Sequence, residues 1–324
     1  MIPKEALGEV KIIITHDNCP DGLASALILG DAYPAAEIRF VNYNKLADLK
    51  SEPGMLFCDI CPAAETAQGF VEAGTIVLDH HATARETVGL FGDRGVFGED
   101  SEECGATLAL RLCQSFGQRH GVSYYKYKQI TEFCRLSRIR DCWDRESPDW
   151  VAACRQAHLL MFPPREMLLK PRSVITNIAW LGQNQWLGDF LLGKQRKAVK
   201  DALRDSWRFE VPGPGKNWKC ILVPTVQTSD VAEELHEAVD LVIGFRYFYD
   251  QSKEGSRGSV QQLQLSLRSH TDFDCADFCR VYGGGGHPRA AGVTLATWSG
   301  DPSPMGTIYS MVAGYEARRK AGKS

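Results

Sequence analysis

The chain has 324 residues, 44% of them hydrophobic and 24% charged, with a net charge of −3 at pH 7. That length supports two domains with separate cores, in the composition of an ordinary globular protein. No apolar run reaches the ~20 residues that a membrane span needs, and the slight acidity argues against a basic track for long nucleic acid. The opening Met-Ile-Pro-Lys-Glu-Ala lacks the basic-then-apolar pattern of an export leader, so a cytoplasmic location is expected. Eleven cysteines, odd in number and scattered, read as small buried apolar residues of a reducing compartment.

In chain order, residues 12–15 (Ile-Ile-Ile-Thr) read as a strand and 22–32 as a helix, with Gly22 permitting the tight turn out of the loop 16–21. Strands follow at 37–43, 55–59 and 75–79, with a helix at 63–73 and helical periodicity again at 104–116 and 124–134. The run Ser137-Arg138-Ile139-Arg140 reads as one more short strand before Asp141. Strands alternating with helices predict an α/β fold with a mainly parallel sheet covered on both faces. Pro163, Pro164 and Pro171 mark a boundary, and 177–209 reads as a helical connector that Pro212-Gly213-Pro214-Gly215 ends. Beyond it come strands at 220–223, 241–249 and 260–268, a helix at 230–238, an exposed hairpin turn at 251–258, a glycine-rich turn at 283–287, a strand at 292–295 and a last helix.

Asp79-His80-His81 stands directly behind the apolar run Thr75-Ile76-Val77-Leu78, placing an acid and two imidazoles at the carboxyl end of a buried strand. Ligand crevices of open α/β sheets form at that end. Three other segments end alike, at His16, Asp59 and Asp141, and the loop after His16 adds Asp17 and Asp21. Such a mixed nitrogen and oxygen set suits Mn2+ and tolerates Mg2+, Fe2+ or Co2+. Asp59, on a strand expected to be central, is the candidate bridge of two ions. His81 reads as supporting a ligand, and Asp79 as orienting an imidazole or holding the turn.

The second constellation is Gly283 to Gly292, with Gly284, Gly285 and Gly286 followed by His287, Pro288 and Arg289. Consecutive glycines let backbone N–H groups approach an anion, while His287 and Arg289, with Arg268 upstream, add donors for a phosphate.

With these residues in view, the chain resembles the DHH phosphoesterase superfamily in its branch with a DHHA1 domain, close to oligoribonucleases of the nanoRNase kind. Asp79-His80-His81 is similar to the naming motif, and Gly284-Gly285-Gly286-His287 through Ala290-Ala291-Gly292 to the DHHA1 signature. The resemblance implies a metal-binding catalytic DHH domain over 1–165, a helical connector over 166–212 and a smaller α/β DHHA1 substrate-binding domain over 213–324, with the active cleft between the lobes. It implies His16 and Asp21 on one metal, His80 and Asp141 on the other, Asp59 bridging them and His81 lining the site, both as catalytic groups, with Asp17 and Asp79 as further candidate ligands. Two Mn2+ ions are implied, Mg2+ or Co2+ able to substitute. The chain carries a His-x-Asn-Cys-Pro-Asp-Gly variant of the first motif: Cys19 and Leu23 stand where many members have acids.

The implied activity is a metal-dependent phosphodiesterase that hydrolyses short single-stranded oligonucleotides by metal-activated water. Short substrates accord with the compact length and the acidic balance. The rival substrates are a cyclic dinucleotide, 3′-phosphoadenosine 5′-phosphate, or a long single strand as in a RecJ-like exonuclease. The non-enzyme rival is a nucleotide-binding protein that has lost catalysis through Cys19 and Leu23. No membrane partner is implied, and a homodimer is the candidate assembly.

Overall fold

The computed structural model describes residues 2–99, 102–115, 124–171, 173–213, 215–224, 228–235, 238–249, 261–297 and 304–321. The chain divides into two compact units, Met1–Leu192 and Gly193–Ser324. The first unit runs α1 (Lys4–Gly8), β1 (Ile12–His16), α2 (Pro20–Ala32), β2 (Glu37–Val41), β3 (Met55–Cys58), α3 (Ala67–Glu72), β4 (Ile76–Asp79), α4 (Arg85–Gly89) and β5 (Gly95–Phe97). The helices α5 (Gly105–Ser115), α6 (Tyr124–Asp141), α7 (Trp150–Met161), α8 (Arg165–Leu169), α9 (Val174–Gln183) and α10 (Gln185–Arg204) follow.

The five strands form one parallel sheet in the order β2-β1-β3-β4-β5. The three central strands are buried along nearly their whole length, which is why they read as continuous apolar runs and not as alternating ones. Ile13, Leu56 and Leu78 point into one core with Leu27 of α2, Leu108 of α5 and Phe133 of α6. Ile14, Phe57 and Val77 point into another with Phe70 of α3 and Val88 of α4. From β1 the chain crosses to β2 on one side and returns to β3 on the other, so β1 and β3 flank the topological switch point where open α/β sheets bind ligands.

The segment Ser137–Arg140 corrects the sequence reading: it is the last turn of the helix α6, not a strand. Its Ser-Arg-Ile-Arg alternation has the period of a strand, but Ile130, Phe133, Cys134 and Ser137 are buried at helical spacing. Gln156 of α7 donates to the Phe133 carbonyl and the Ser137 hydroxyl, at 2.9 and 3.0 Å, fixing that turn. The stretch expected as one connector helix is α9, α10 and then a strand; Val174 and Leu181 of α9 belong to the first unit's core. The division between the units falls within α10.

The second unit comprises β6 (Trp207–Pro212), β7 (Asn217–Val223), α11 (Thr228–Glu234), β8 (Leu241–Tyr249), β9 (Gln261–Ser269), α12 (Cys275–Val281), β10 (Gly285–His287), β11 (Ala290–Thr297) and α13 (Pro304–Lys320). Its sheet has the order β10-β11-β9-β8-β7-β6, antiparallel except for β7 beside β8. Leu241, Ile243, Leu265 and Leu267 alternate onto a core shared with Trp218, Phe273, Phe278 and Tyr315. The expected hairpin turn at 251–258 lies outside the described residues. None of the eleven cysteines, all among the described residues, forms a disulfide. No described helix is long and apolar enough to cross a membrane.

Candidate metal centre

The carboxyl edge of the central strands gathers the first unit's ionisable groups. His16 ends β1, Asp59 follows β3, Asp79 ends β4 and His80 and His81 follow it. Asp21 lies in the first turn of α2, behind Pro20, and Asp141 is the last residue of α6. Asp59 has φ 64°, in the left-handed region, while its amide donates to the Leu78 carbonyl at 3.0 Å. A non-glycine residue held there costs energy and marks a constrained position.

Asp59 and His80 are completely buried. One carboxylate oxygen of Asp59 lies 3.3 Å from His80 Nε2, and the other 3.9 Å from His16 Nδ1. Asp141 Oδ2 lies 3.3 Å from the same His80 nitrogen. Donor atoms of Asp21, Asp59 and His80 fall within 4.8 Å of one another, as do those of His16, Cys19 and Asp59, and of His80, Asp141 and Cys142. The remaining candidates have other partners. Asp17 accepts from Arg165 at 2.6 Å and from Asn42 at 3.2 Å. Asp79 Oδ1 accepts the backbone N–H groups of His80 (2.7 Å) and His81 (3.0 Å) and lies 2.6 Å from His81 Nδ1.

The electrostatics fit a divalent cation. Burial, then the Asp59 and Asp141 charges, push the Asp21 carboxyl well above the usual carboxylate range. Burial, then Asp141 and Asp79, do the same to Asp59. Burial, then His81, draws His16 down to about 4, so its imidazole is neutral and able to ligate. Asp79 is the exception: against burial, which pushes it up, the His81 imidazole and its hydrogen bond hold the carboxyl below its usual value. His16 Nδ1, Asp59 Oδ2 and Asp141 Oδ2 are buried and make no hydrogen bond. Converging buried carboxylates with idle oxygens are costly unless a cation neutralises them, and oxygen and imidazole donors are what such an ion takes.

In the second unit Gly284 donates to the Cys279 carbonyl at 2.8 Å and Gly283 to the Arg280 carbonyl at 3.1 Å. Those two N–H groups serve the α12 terminus instead of a free anion nest. A Cβ at Gly284 would stand 2.2 Å from the Gly292 carbonyl oxygen, and one at Gly286 would stand 2.6 Å from that of Ala290, so the glycines let β10 press against β11. Arg289 lies exposed in the turn after His287, whereas Arg268 donates to Ser229 (2.9 Å), Ser266 (3.2 Å) and the Leu267 carbonyl (2.7 Å). β10 is the sheet's edge, where backbone groups stand open to a ligand.

No family model and no curated protein matches the sequence. Among solved structures, the pGpG-specific phosphodiesterase PggH from Vibrio cholerae aligns over 94% of this chain and 99% of its own, with a TM-score of 0.50 at 13% identity. The chain shares the fold of that protein. An exopolyphosphatase-related protein from Bacteroides fragilis aligns over 99% of this chain and 96% of its own (TM-score 0.45, 12% identity). RecJ in complex with Mg2+ from Thermus thermophilus aligns over 97% of this chain and 52% of its own (TM-score 0.38, 15% identity).

Three residues of the site carry no assignment from the sequence. Gly105 opens α5, and its amide (2.5 Å) and that of Ala106 (3.1 Å) donate to the Asp21 carboxyl oxygens, so the helix N-terminus positions that side chain. A Cβ at Gly98 would meet that of His80 at 3.2 Å. The Tyr43 ring stands 4.7 Å from His16 and 6.0 Å from His81, centroid to centroid. Tyr43 had a readable signal, since it follows a strand ending on the same sheet edge. The two glycines had none, because their role depends on what approaches them from far along the chain.

Proposed function

We propose that the chain is a metal-dependent phosphodiesterase that cleaves short oligonucleotides. The observation that carries this reading is the Asp59 carboxylate, wholly buried, with one oxygen turned to His80 and the other to His16. Such a carboxylate could serve two cations, one held with His80, which Asp141 also approaches, and one with His16, with Asp21 within reach of Asp59 and His80. Bound divalent ions, Mn2+ in our reading, would supply Lewis-acid charge for a phosphoryl oxygen and make water acidic enough to attack.

The chain's own groups do the rest. The α5 N-terminus fixes Asp21, and Asp79 fixes the His81 ring through Nδ1 and so its tautomer. His81, only 8% exposed, is thereby a preset donor or acceptor for a proton at the phosphate or the departing oxygen. In the second unit Arg289, His287 and the β10 edge are the groups we assign to recognising the substrate's phosphate or base. Short substrates are supported by the acidic balance of the chain and by the fold shared with a pGpG-specific enzyme.

The test is hydrolysis with Mn2+, Mg2+ or Co2+ of linear dinucleotides, longer RNA and DNA, cyclic dinucleotides and 3′-phosphoadenosine 5′-phosphate. Linear dinucleotides should turn over fastest, and Asp59→Asn should abolish turnover. Absence of hydrolysis with every ion and substrate would leave the nucleotide-binding alternative; equal activity of Asp59→Asn would refute the site.

A further inference from the structure

The loop after β1 brings one more donor to the metal centre. Cys19 precedes α2 with extended backbone, φ −117° and ψ 128°, and is partly exposed. Its sulfur, an imidazole nitrogen of His16 and a carboxylate oxygen of Asp59 all lie within 4.8 Å of one another. The Asp59 side chain there is wholly buried, and its Oδ2 makes no hydrogen bond; neither does His16 Nδ1, 3.9 Å away. Two idle polar atoms and a thiol thus face one another where each offers a lone pair. A thiol is too weak a donor to satisfy the other two.

We infer that Cys19 ligates, as a thiolate, the cation held by His16 and Asp59. On binding, the Sγ–H bond breaks, the proton passes to solvent and a metal–sulfur bond forms, with no change of oxidation state. The centre then has two unlike positions. The Asp21, Asp59 and His80 side is built of oxygen and nitrogen and suits Mn2+ or Mg2+. The His16, Cys19 and Asp59 side carries sulfur, which favours Zn2+, Co2+ or Fe2+ over those harder ions. Cys142 is the competing sulfur, grouped with His80 and Asp141, but its thiol already donates to the Glu103 carbonyl at 3.3 Å.

The inference rests on the metal-centre reading, and Co2+ separates the two. The full chain, freed of metal by chelation and titrated with Co2+, should develop a near-ultraviolet sulfur-to-cobalt charge-transfer band. Cys19→Ser should lose that band and Cys142→Ser keep it, with circular dichroism confirming that both variants are folded. Cys19→Asp should lose the band while still binding Co2+, and lower the preference for Co2+ over Mn2+ by at least about tenfold, the low end of what even outer contacts to a ligand are worth. Bound Co2+ without the band, or a band that survives in Cys19→Ser, overturns the thiolate ligand alone. Failure of Co2+ and Mn2+ to bind the wild type at all overturns the metal centre with it.

Discussion

Replacing Gly105 by alanine tests whether the site is assembled as described. A Cβ at this position would stand 2.5 Å from the Asp59 Cβ, 2.7 Å from Ser25 Oγ and 2.8 Å from an Asp21 carboxylate oxygen. All three neighbours are buried, so none can swing aside freely. Overpacking of this kind costs about 1–3 kcal/mol. The displaced Asp21 also strains its hydrogen bonds to the α5 N-terminus, each worth about 0.5–1.5 kcal/mol. Alanine's better helix propensity returns less than about 1 kcal/mol. The net expectation is a loss of about 2 kcal/mol by urea unfolding, with Mn2+ affinity lowered about 10–100-fold by titration calorimetry. Gly314, inside α13 with nothing within 4 Å of its would-be Cβ, is the control: Gly314→Ala should stabilise by about 0.5–1 kcal/mol. A Gly105→Ala protein as stable as the wild type, with unchanged Mn2+ affinity, would refute the packing of α5 against Asp59.

Three more outcomes follow. Asp79→Asn should lower kcat about 100-fold or more by unfixing the His81 tautomer while metal content, read by emission spectroscopy, stays that of the wild type; loss of metal would make Asp79 a ligand instead. Arg289→Ala should raise KM for dinucleotides about 10-fold or more, leaving kcat near the wild type; an unchanged KM would remove Arg289 from substrate recognition. Metal-free stability should fall as pH rises from about 4. Asp21 and Asp59, their values raised first by burial and then by neighbouring carboxylates, keep protons that the unfolded chain releases above its ordinary value near 4. His16, lowered to about 4, opposes this by contributing stability that is lost as pH falls from 6.5 toward 4. Two acids outweigh one imidazole, and saturating Mn2+ should reverse the trend; urea midpoints that rise with pH in chelator would contradict the raised carboxyls.

The parallel sheet was legible because its three central strands are buried on both faces, and such strands announce themselves as short β-branched runs. Their carboxyl ends were legible for the same reason, which is why His16, Asp59, Asp79, His80 and His81 could be placed on one edge from the sequence. Strand β5, only three residues with intermediate burial, and β6, whose outward positions are exposed, lack that signal. The glycine run was visible as a motif, but not its use. Its role is to fit β10 against β11, and which amides remain for a ligand depends on the Cys279 and Arg280 carbonyls of α12.

Asp141 shows where local pattern and tertiary placement part company. The residues before it have the period of a strand and lie in a helix, yet Asp141 stands 3.3 Å from His80, where a strand end would have put it. A sheet edge can be completed by any element whose end reaches it, and here that element is α6, held by its buried stripe against the core that also takes α2 and α5. Helix ends carry no periodicity that singles out their last residue, so the sequence alone could not distinguish a helix terminus from a strand end. Gly105 belongs to the same class: α5 approaches closely only because its first residue lacks a Cβ, and that approach brings two amides to Asp21. The central strands supply one side of the centre from runs that any reader of the sequence can find. α5 supplies the other through amides that reach Asp21 across 84 and 85 residues, α6 adds Asp141 beside His80, and the chemistry depends on all of them.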